Sequence, residues 1–287
     1  MTEPTSALLN ADFLGGPEHA FESAGREQLA ALLDHLLRPS SFVLDIGCGC
    51  LRGGLWIVPI LDPGHYFGIE PNQAMLTRGQ RDFLPQEIAE IKKPRFDHND
   101  RFDFSVFGSD QKFTHFLARS IWTHASKRQI GLMLDGVRDH GTDDCVLLAS
   151  FVPAELGTRP DYLGDEWVGK SHVSGEGGMV GHGFEWIREA ARARGLLARL
   201  SERPPVNEQL WCVIERRSLG ADGSTERTHG ARPGEPVGAK PLGGARAELT
   251  RGLRAEVAGE ARQAVRRILD SWRRFRRNEF SGGRSTK

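Results

Sequence analysis

The chain has 287 residues, of which 39% are hydrophobic, and this is enough for one large α/β domain or two smaller ones. Its 38 basic and 38 acidic residues cancel, so the overall charge gives no support to a nucleic-acid partner. The first residues lack the basic and apolar regions of a secretory signal, and no apolar run reaches the length of a membrane span. The four cysteines are few for a disulfide framework. We therefore expect a cytoplasmic protein with reduced thiols.

Apolar spacing predicts alternating helices and strands over the first half of the chain. Helices are predicted at residues 18–37, where Pro39 ends the pattern, and at 55–61, 71–84 and 127–140. Buried strands are predicted at 42–47, 65–70, 94–100, 112–120 and 145–152. This alternation indicates βαβ units and a parallel sheet.

The pattern changes after the fifth strand. Residues 153–181 are rich in glycine and have no period, and a helix is predicted at 183–196. Two further strand patterns within 197–216, separated by Pro-Pro-Val-Asn, predict an antiparallel hairpin that finishes the sheet.

The end of the chain has a different composition. Residues 218–244 contain seven Gly and three Pro without a period, which predicts a flexible linker. A basic amphipathic helix is predicted at 245–278, followed by a disordered tail at 279–287. From Arg216 onward there are 17 basic and 8 acidic residues, a split typical of a tail with its own partner. The helix would lie on an anionic membrane surface, dock onto a protein or a second copy of the chain, or have no function; specific nucleic-acid binding is not expected.

The turn after the first predicted strand holds the strongest functional signal. Gly47 and Gly49 would let a ligand closely approach free backbone N–H groups, and Gly53 and Gly54 would let the next helix pack on the sheet. Twenty-one residues beyond Gly49, the second strand ends in Glu70, where a carboxylate can accept both hydroxyls of a ribose. This order of elements predicts a nucleoside cofactor.

Dinucleotides and S-adenosylmethionine both fit this geometry. The dinucleotide fingerprint has a third glycine where this chain has Arg52, and Asp45 would repel a pyrophosphate but suit the cationic amino group of a methionine. The residues therefore favour S-adenosylmethionine. An NAD(P)-dependent oxidoreductase is one alternative, and a non-catalytic adaptor with a degenerate cofactor pocket, acting through its C-terminal helix, is another.

Three segments carry a family resemblance. "VLDIGCG" (43–49) and "YFGIEPN" (66–72) resemble motifs I and II of the class I S-adenosylmethionine-dependent methyltransferases, and "FTHFLARSIWTHAS" (113–126) resembles their fourth-strand segment. "GCGCLRGG" (47–54) is similar to a bacterial subgroup with a GCGxLRGG motif I. The resemblance covers about residues 18–216. It implies a Rossmann-like, seven-stranded, mostly parallel sheet with helices on both faces and a terminal antiparallel hairpin, in a domain of residues 1–217 with an insertion at about 153–181.

The resemblance also implies roles for the matching positions. Asp45 would lie near the methionine amino group, and Glu70 would bind the ribose hydroxyls. The other expected cofactor contacts are Gly47, Cys48 and Gly49 along the methionine and ribose, Pro71 and Asn72 beside the adenine, Asn99 and Asp100 at the adenine amine, and Ala118, Arg119 and Ser120 near the methyl donor. Trp122 and Ala125 stand where the family usually has Phe and Leu, so no acceptor is implied.

Three histidines are candidates for contact with a methyl acceptor. His124 follows the fourth strand and would act as a general base on a hydroxyl, or would only pack against or cap the next helix. His172 and His182 flank the glycine-rich insertion, where methyltransferases often form the acceptor pocket. The expected activity is methyl transfer to a small-molecule acceptor, with a hydroxyl as the favoured position.

No metal site is expected from the cysteines. Cys48 and Cys50 have no further ligands at suitable spacing, and Cys145 and Cys212 lie in predicted buried strands, where cysteine acts as a small apolar residue.

Overall fold

A computed structural model describes residues 21–169, 178–206 and 208–216. The strands are β1 (Val43–Ile46), β2 (Tyr66–Ile69), β3 (Arg95–Asp97), β4 (Phe113–Ala118), β5 (Gly141–Pro153), β6 (Gly181–His182), β7 (Leu196–Leu200) and β8 (Leu210–Arg216). The α-helices are α1 (Phe21–Asp34), α2 (Gly54–Ile57), α3 (Gln73–Arg78), α4 (Gln86–Lys92), α5 (Lys127–His140) and α6 (Phe184–Arg192). Among these described residues, no helix is long and apolar enough to cross a membrane.

The strands form one sheet in the order β3-β2-β1-β4-β5-β8-β7, and the short β6 pairs with the end of β5. Neighbours from β3 to β5 are parallel, whereas β8 is antiparallel to both β5 and β7. The predicted α/β class with a closing antiparallel hairpin is confirmed. The strand order reverses between β1 and β4, and open α/β sheets bind ligands at the carboxyl ends of the strands beside such a switch point.

Each face of the sheet carries its own core. All four residues of β1 are buried. Val43 packs into the core that contains α1 and α2, while Leu44 and Ile46 pack into the core that contains α5 and α6. Burial on both faces explains why the strands are nearly continuous apolar runs in the sequence. Asp45 is the exception within β1, and its position in the interior therefore requires a functional or structural reason.

Several helix bounds differ from the predictions. The helix predicted at 55–61 is the short α2, because Pro59 lacks the N–H that would continue its hydrogen bonds. The helix predicted at 71–84 is α3 followed by a π-turn at Gly79–Phe83, and the one predicted at 183–196 ends at Arg192.

One α-helix and one strand were missed by the sequence analysis. The helix α4 has no fully buried residue, so it shows no apolar stripe, and β6 is only two residues long. The predicted linker at 218–244, basic helix at 245–278 and tail at 279–287 lie outside the described residues, as do His172 and residues 18–20 of the first predicted helix. The domain boundary at residue 217 stays a prediction.

Two glycines of α5 give a matched test of the packing. A Cβ at Gly136 would lie 2.4 Å from the buried ring of Phe104, whereas one at Gly131 would lie 3.1 Å from the flexible end of Arg194. Alanine in a helix interior stabilises by about 0.5–1 kcal/mol relative to glycine, but overpacking a core costs about 1–3 kcal/mol. We expect Gly136→Ala to lower the melting temperature and Gly131→Ala to leave it unchanged or raise it. Equal changes in both variants would contradict this packing.

Candidate functional site

The turn after β1 is tied to the end of β2 through its backbone. The N–H groups of Gly47 and Cys48 donate to the carbonyl oxygen of Ile69 at 2.8 and 3.1 Å, and the N–H of Gly49 donates to Oε2 of Glu70 at 2.9 Å. The prediction that these N–H groups are free for a ligand is therefore wrong. Both glycines have positive φ angles, which disfavour residues with a side chain. The turn would therefore present a ligand with backbone that has no side chains and whose N–H groups are already bound.

Glu70 lies where the sequence analysis placed it, at the end of β2, and is only 3% exposed. Besides the bond from Gly49, its Oε1 accepts a hydrogen bond from the N–H of Asn72 at 2.9 Å. Burial raises the pKa of Glu70 to about 6, and the two N–H donors oppose that shift. A carboxylate has about four acceptor sites, so each oxygen retains capacity for a hydroxyl donor.

Asp45 is 2% exposed, and the hydroxyl of Tyr66 donates to its Oδ2 at 2.6 Å. Burial raises the pKa of Asp45 to about 7, the Tyr66 hydrogen bond lowers it, and the charge of Glu70 raises it further. The sequence analysis missed Tyr66. The strand register contains the signal: Asp45 lies opposite Gly68 on β2, so Tyr66, two residues earlier, projects from the same face of the sheet.

The residues predicted to surround the adenine are held in local hydrogen bonds. The Asn72 side chain caps α3 by accepting from the N–H of Met75. Asn99 donates to Asp97 and to the carbonyl oxygen of Asp103, so its side chain holds the loop after β3. Asp100 and the neighbouring His98 are exposed on this loop, and Pro71 is partly exposed beside Glu70.

The end of β4 brings Ala118, Arg119 and Ser120 to the same edge of the sheet. Ala118 is buried, and Ser120 has a positive φ angle, with its N–H donating to Oγ of Ser150 at 2.6 Å. The Arg119 side chain turns into a group of polar residues from α1, β5 and the start of β8, none of which the sequence analysis had identified.

His124 is held against the backbone of the insertion. Its Nδ1 lies 2.7 Å from the carbonyl oxygen of Val168, and its ring stacks at a tilt on Trp167 with centroids 5.6 Å apart. Burial lowers the pKa of His124, while contacts with the Val168 and Gly178 backbone raise it. These contacts fit the packing role, and the base role stays a prediction.

His182 lies in the interior with no exposed surface. Its Nε2 is 3.0 Å from the carbonyl oxygen of Ala125, and burial lowers its pKa. The His182 ring therefore makes a structural contact, and this environment does not support the predicted contact with a substrate. His172 is outside the described residues.

The cysteines behave as buried apolar residues. None of the four forms a disulfide and all are buried, and burial raises the pKa of the Cys48 and Cys50 thiols. A Cβ at Gly68 would lie 2.8 Å from Sγ of Cys48, so this thiol fills the space beside β2. Within the described ranges, no three His, Cys, Asp or Glu side chains are grouped as metal ligands.

Comparison with known proteins identifies the fold. No protein-family model and no curated protein sequence matches this chain. An O-methyltransferase from neocarzinostatin biosynthesis matches its structure with a TM-score of 0.50 and 12% identity, over 74% of this chain and 59% of that one. The chain has a Rossmann-like methyltransferase fold.

Two further methyltransferases match with lower scores. The magnesium protoporphyrin IX methyltransferase of Synechocystis PCC 6803 has a TM-score of 0.47 and 16% identity, over 69% of this chain and 79% of its own. An S-adenosylmethionine-dependent methyltransferase from Clostridium acetobutylicum ATCC 824 has a TM-score of 0.47 and 12% identity, over 70% of this chain and 93% of its own. At such identities the likeness concerns the fold, and an activity has to be argued from the site.

The raised pKa of Asp45 predicts a pH-dependent stability. A carboxyl whose folded-state pKa is raised stabilises the fold when protonated, and that contribution is lost as the pH rises through about 7. Asp45→Asn keeps an oxygen that accepts from Tyr66 but carries no charge. We expect this variant to melt at least about 2 °C above the parent at pH 8 and at the same temperature at about pH 4. The exposed Asp143→Asn is the control, and an equal difference at both pH values would contradict the assignment.

The position of His124 predicts a second pair of variants. Asn places an N–H donor close to the position of Nδ1, so His124→Asn should retain the bond to Val168, whereas His124→Ala removes it. We expect the free energy of unfolding, measured by thermal unfolding, to fall by roughly 1–3 kcal/mol in the alanine variant and by less in the asparagine variant. Unchanged stability of His124→Ala would show that the ring does not brace the insertion.

Proposed function

We propose that this protein binds S-adenosylmethionine and transfers its methyl group to a small-molecule acceptor, with a hydroxyl as the favoured position. The observation that carries the proposal is the pair of buried carboxylates, Asp45 and Glu70, at the ends of neighbouring strands beside a glycine turn. The structure of the neocarzinostatin enzyme contains S-adenosylmethionine and 2-hydroxy-5-methyl naphthoic acid, which supports a small hydroxylated acceptor for this fold.

The donor and acceptor groups of the site fit this cofactor better than a dinucleotide. A pyrophosphate needs free N–H donors or cations, but the N–H groups of Gly47, Cys48 and Gly49 are all bound within the protein. Asp45 and Glu70 instead offer acceptors and negative charge, which suit an amino group, a sulfonium and ribose hydroxyls. This set of groups argues against the NAD(P)-dependent alternative.

Each residue would have a defined part in binding. Glu70, fixed by the N–H groups of Gly49 and Asn72, would accept the ribose hydroxyls. Asp45 would contribute negative charge toward the amino group, since it lies one strand away from Glu70. Gly47 and Gly49, whose positive φ angles disfavour residues with a side chain, would border the ligand with backbone alone.

The chemistry places few demands on catalytic groups. The bound cofactor supplies a methyl carbon that leaves a sulfonium sulfur as it bonds to the acceptor oxygen, and the hydroxyl proton passes to a base or to solvent. Orientation and exclusion of water supply most of the acceleration of such an in-line displacement. The chain would contribute this by holding donor and acceptor on either side of the switch point between β1 and β4.

Calorimetry tests the cofactor and the role of Glu70 together. We expect S-adenosylhomocysteine to bind and NAD to release no heat. Glu70→Ala should weaken the affinity at least tenfold, because it removes two charge-assisted hydrogen bonds. The exposed Glu87→Ala, on α4, should leave the affinity unchanged.

Glu70 also holds the turn, so a ligand control separates the two roles. If Glu70 binds the ribose, the 2′-deoxy analogue of S-adenosylhomocysteine should bind the parent more weakly but bind Glu70→Ala as well as the natural ligand does. Equal losses in both proteins would mean that the ribose lies elsewhere. Binding of NAD would support the oxidoreductase, and no binding of either ligand would support the adaptor.

A further inference from the structure

The side chain of Arg119 is the centre of a polar group that the proposed cofactor does not use. We call Glu27, Arg119, Ser150, Gln209 and Trp211 the Arg119 cluster. Glu27 comes from α1, Arg119 directly follows β4, Ser150 lies near the end of β5, and Gln209 and Trp211 lie at the start of β8. These elements meet at the carboxyl edge of the sheet.

The guanidinium has three of its five N–H groups occupied. Its Nε donates to Oε2 of Glu27 at 3.2 Å, and its Nη1 donates to Oγ of Ser150 at 3.0 Å and also to Oε1 of Gln209. An arginine has five N–H donors in a planar fork, so the two on Nη2 remain. Within residues 21–169, 178–206 and 208–216, no side chain or carbonyl accepts from Nη2.

The surroundings fix this guanidinium in one orientation. Its side chain is 10% exposed, and it lies over the ring of Trp211 at 5.3 Å. The Trp211 indole donates to Oε1 of Glu27 at 2.7 Å, while Oγ of Ser150 donates to Oε1 of Gln209 at 2.7 Å. A desolvated arginine held on three sides is preorganised to bind an anion with its remaining side.

The position of the Arg119 cluster in the sheet favours contact with the methyl acceptor over contact with the cofactor. Asp45 and Glu70, the proposed cofactor carboxylates, lie at β1 and β2 on one side of the switch point, whereas the cluster lies at the ends of β4 and β5 and the start of β8, on the other side. Gln209 reaches back toward the switch point, because its Nε2 donates to Oγ of Ser120 at 3.0 Å. The cluster therefore adjoins the expected position of the methyl donor.

We propose that Nη2 of Arg119 binds a carboxylate of the methyl acceptor, so that the acceptors of this protein are small hydroxy-carboxylic acids. The identification of the ligand as a methyl acceptor rests on the proposed function, whereas the anion site itself does not. Ser150 and Gln209 are positioning residues, because they accept hydrogen bonds from Nη1 and not from Nη2.

A simpler role for Arg119 is to attach α1 to the sheet. The bond from Nε to Glu27 accounts for that role completely and needs no contact at Nη2. The two roles therefore differ in a measurable way: only the proposed one requires Arg119 to distinguish a carboxylate from a neutral group of the same shape.

Arginine side-chain NMR of the full chain tests this, with acetate and benzoate as probes and acetamide and benzamide as their neutral isosteres. At constant ionic strength, we expect both carboxylates to shift the Arg119 resonances saturably, with affinities in the millimolar range, and the amides to have no such effect. The resonances are assigned by their loss in Arg119→Lys. Trp211 fluorescence should follow the same titration, since its ring lies beneath the guanidinium.

Variants complete the test. Arg119→Gln should weaken benzoate binding at least tenfold by fluorescence, Arg119→Lys should retain part of it, and Arg188→Gln, on the exposed surface of α6, should change nothing. Equal shifts with carboxylates and amides, or no shift with any probe, would overturn the proposal. Carboxylate binding without S-adenosylhomocysteine binding would support the anion site and refute the methyltransferase function.

Discussion

The bond between the turn after β1 and the end of β2 is the constraint on which the candidate site depends. Three consecutive N–H groups of this turn bind β2 or Glu70. A Cβ at Gly47 would lie 2.1 Å from the side chain of Ile121, and both turn glycines have positive φ angles, so other residues would strain the turn. The carboxylate of Glu70 is thus fixed by the same backbone that would border the cofactor.

This arrangement keeps two carboxylates in the interior at a cost to stability. The pKa of Asp45 is raised to about 7 and that of Glu70 to about 6, chiefly because both are buried, and the charge of Glu70 adds to the shift of Asp45. A cation that entered beside them would lower both pKa values and offset part of the desolvation. Functional sites often retain such unfavourable groups, since the ligand and not the free protein makes use of them.

The local signals in the sequence predicted the fold well and the contacts of the site poorly. The bounds of α5 agree with the prediction, because its apolar period and its capping box of Ser126 and Gln129 lie within one segment. The Tyr66–Asp45 and Glu27–Arg119 bonds join residues 21 and 92 positions apart, and only the folded sheet brings them together. The turn amides were misjudged for the same reason, since their acceptors lie on another strand.

The sheet divides its carboxyl edge into two halves of opposite character. The ends of β1 and β2 carry buried acids, and the end of β4 carries Arg119, whose two Nη2 N–H groups have no acceptor among the described residues. A cationic methyl donor would be bound beside the acids, and an anionic acceptor would be bound by the Nη2 donors of Arg119. The separation between the halves is set by the parallel pairing of β1 with β4, in which Asp45 lies opposite Leu117. Rigid strands, rather than a flexible loop, would therefore align the two reactants, and alignment is what a methyl transfer requires most.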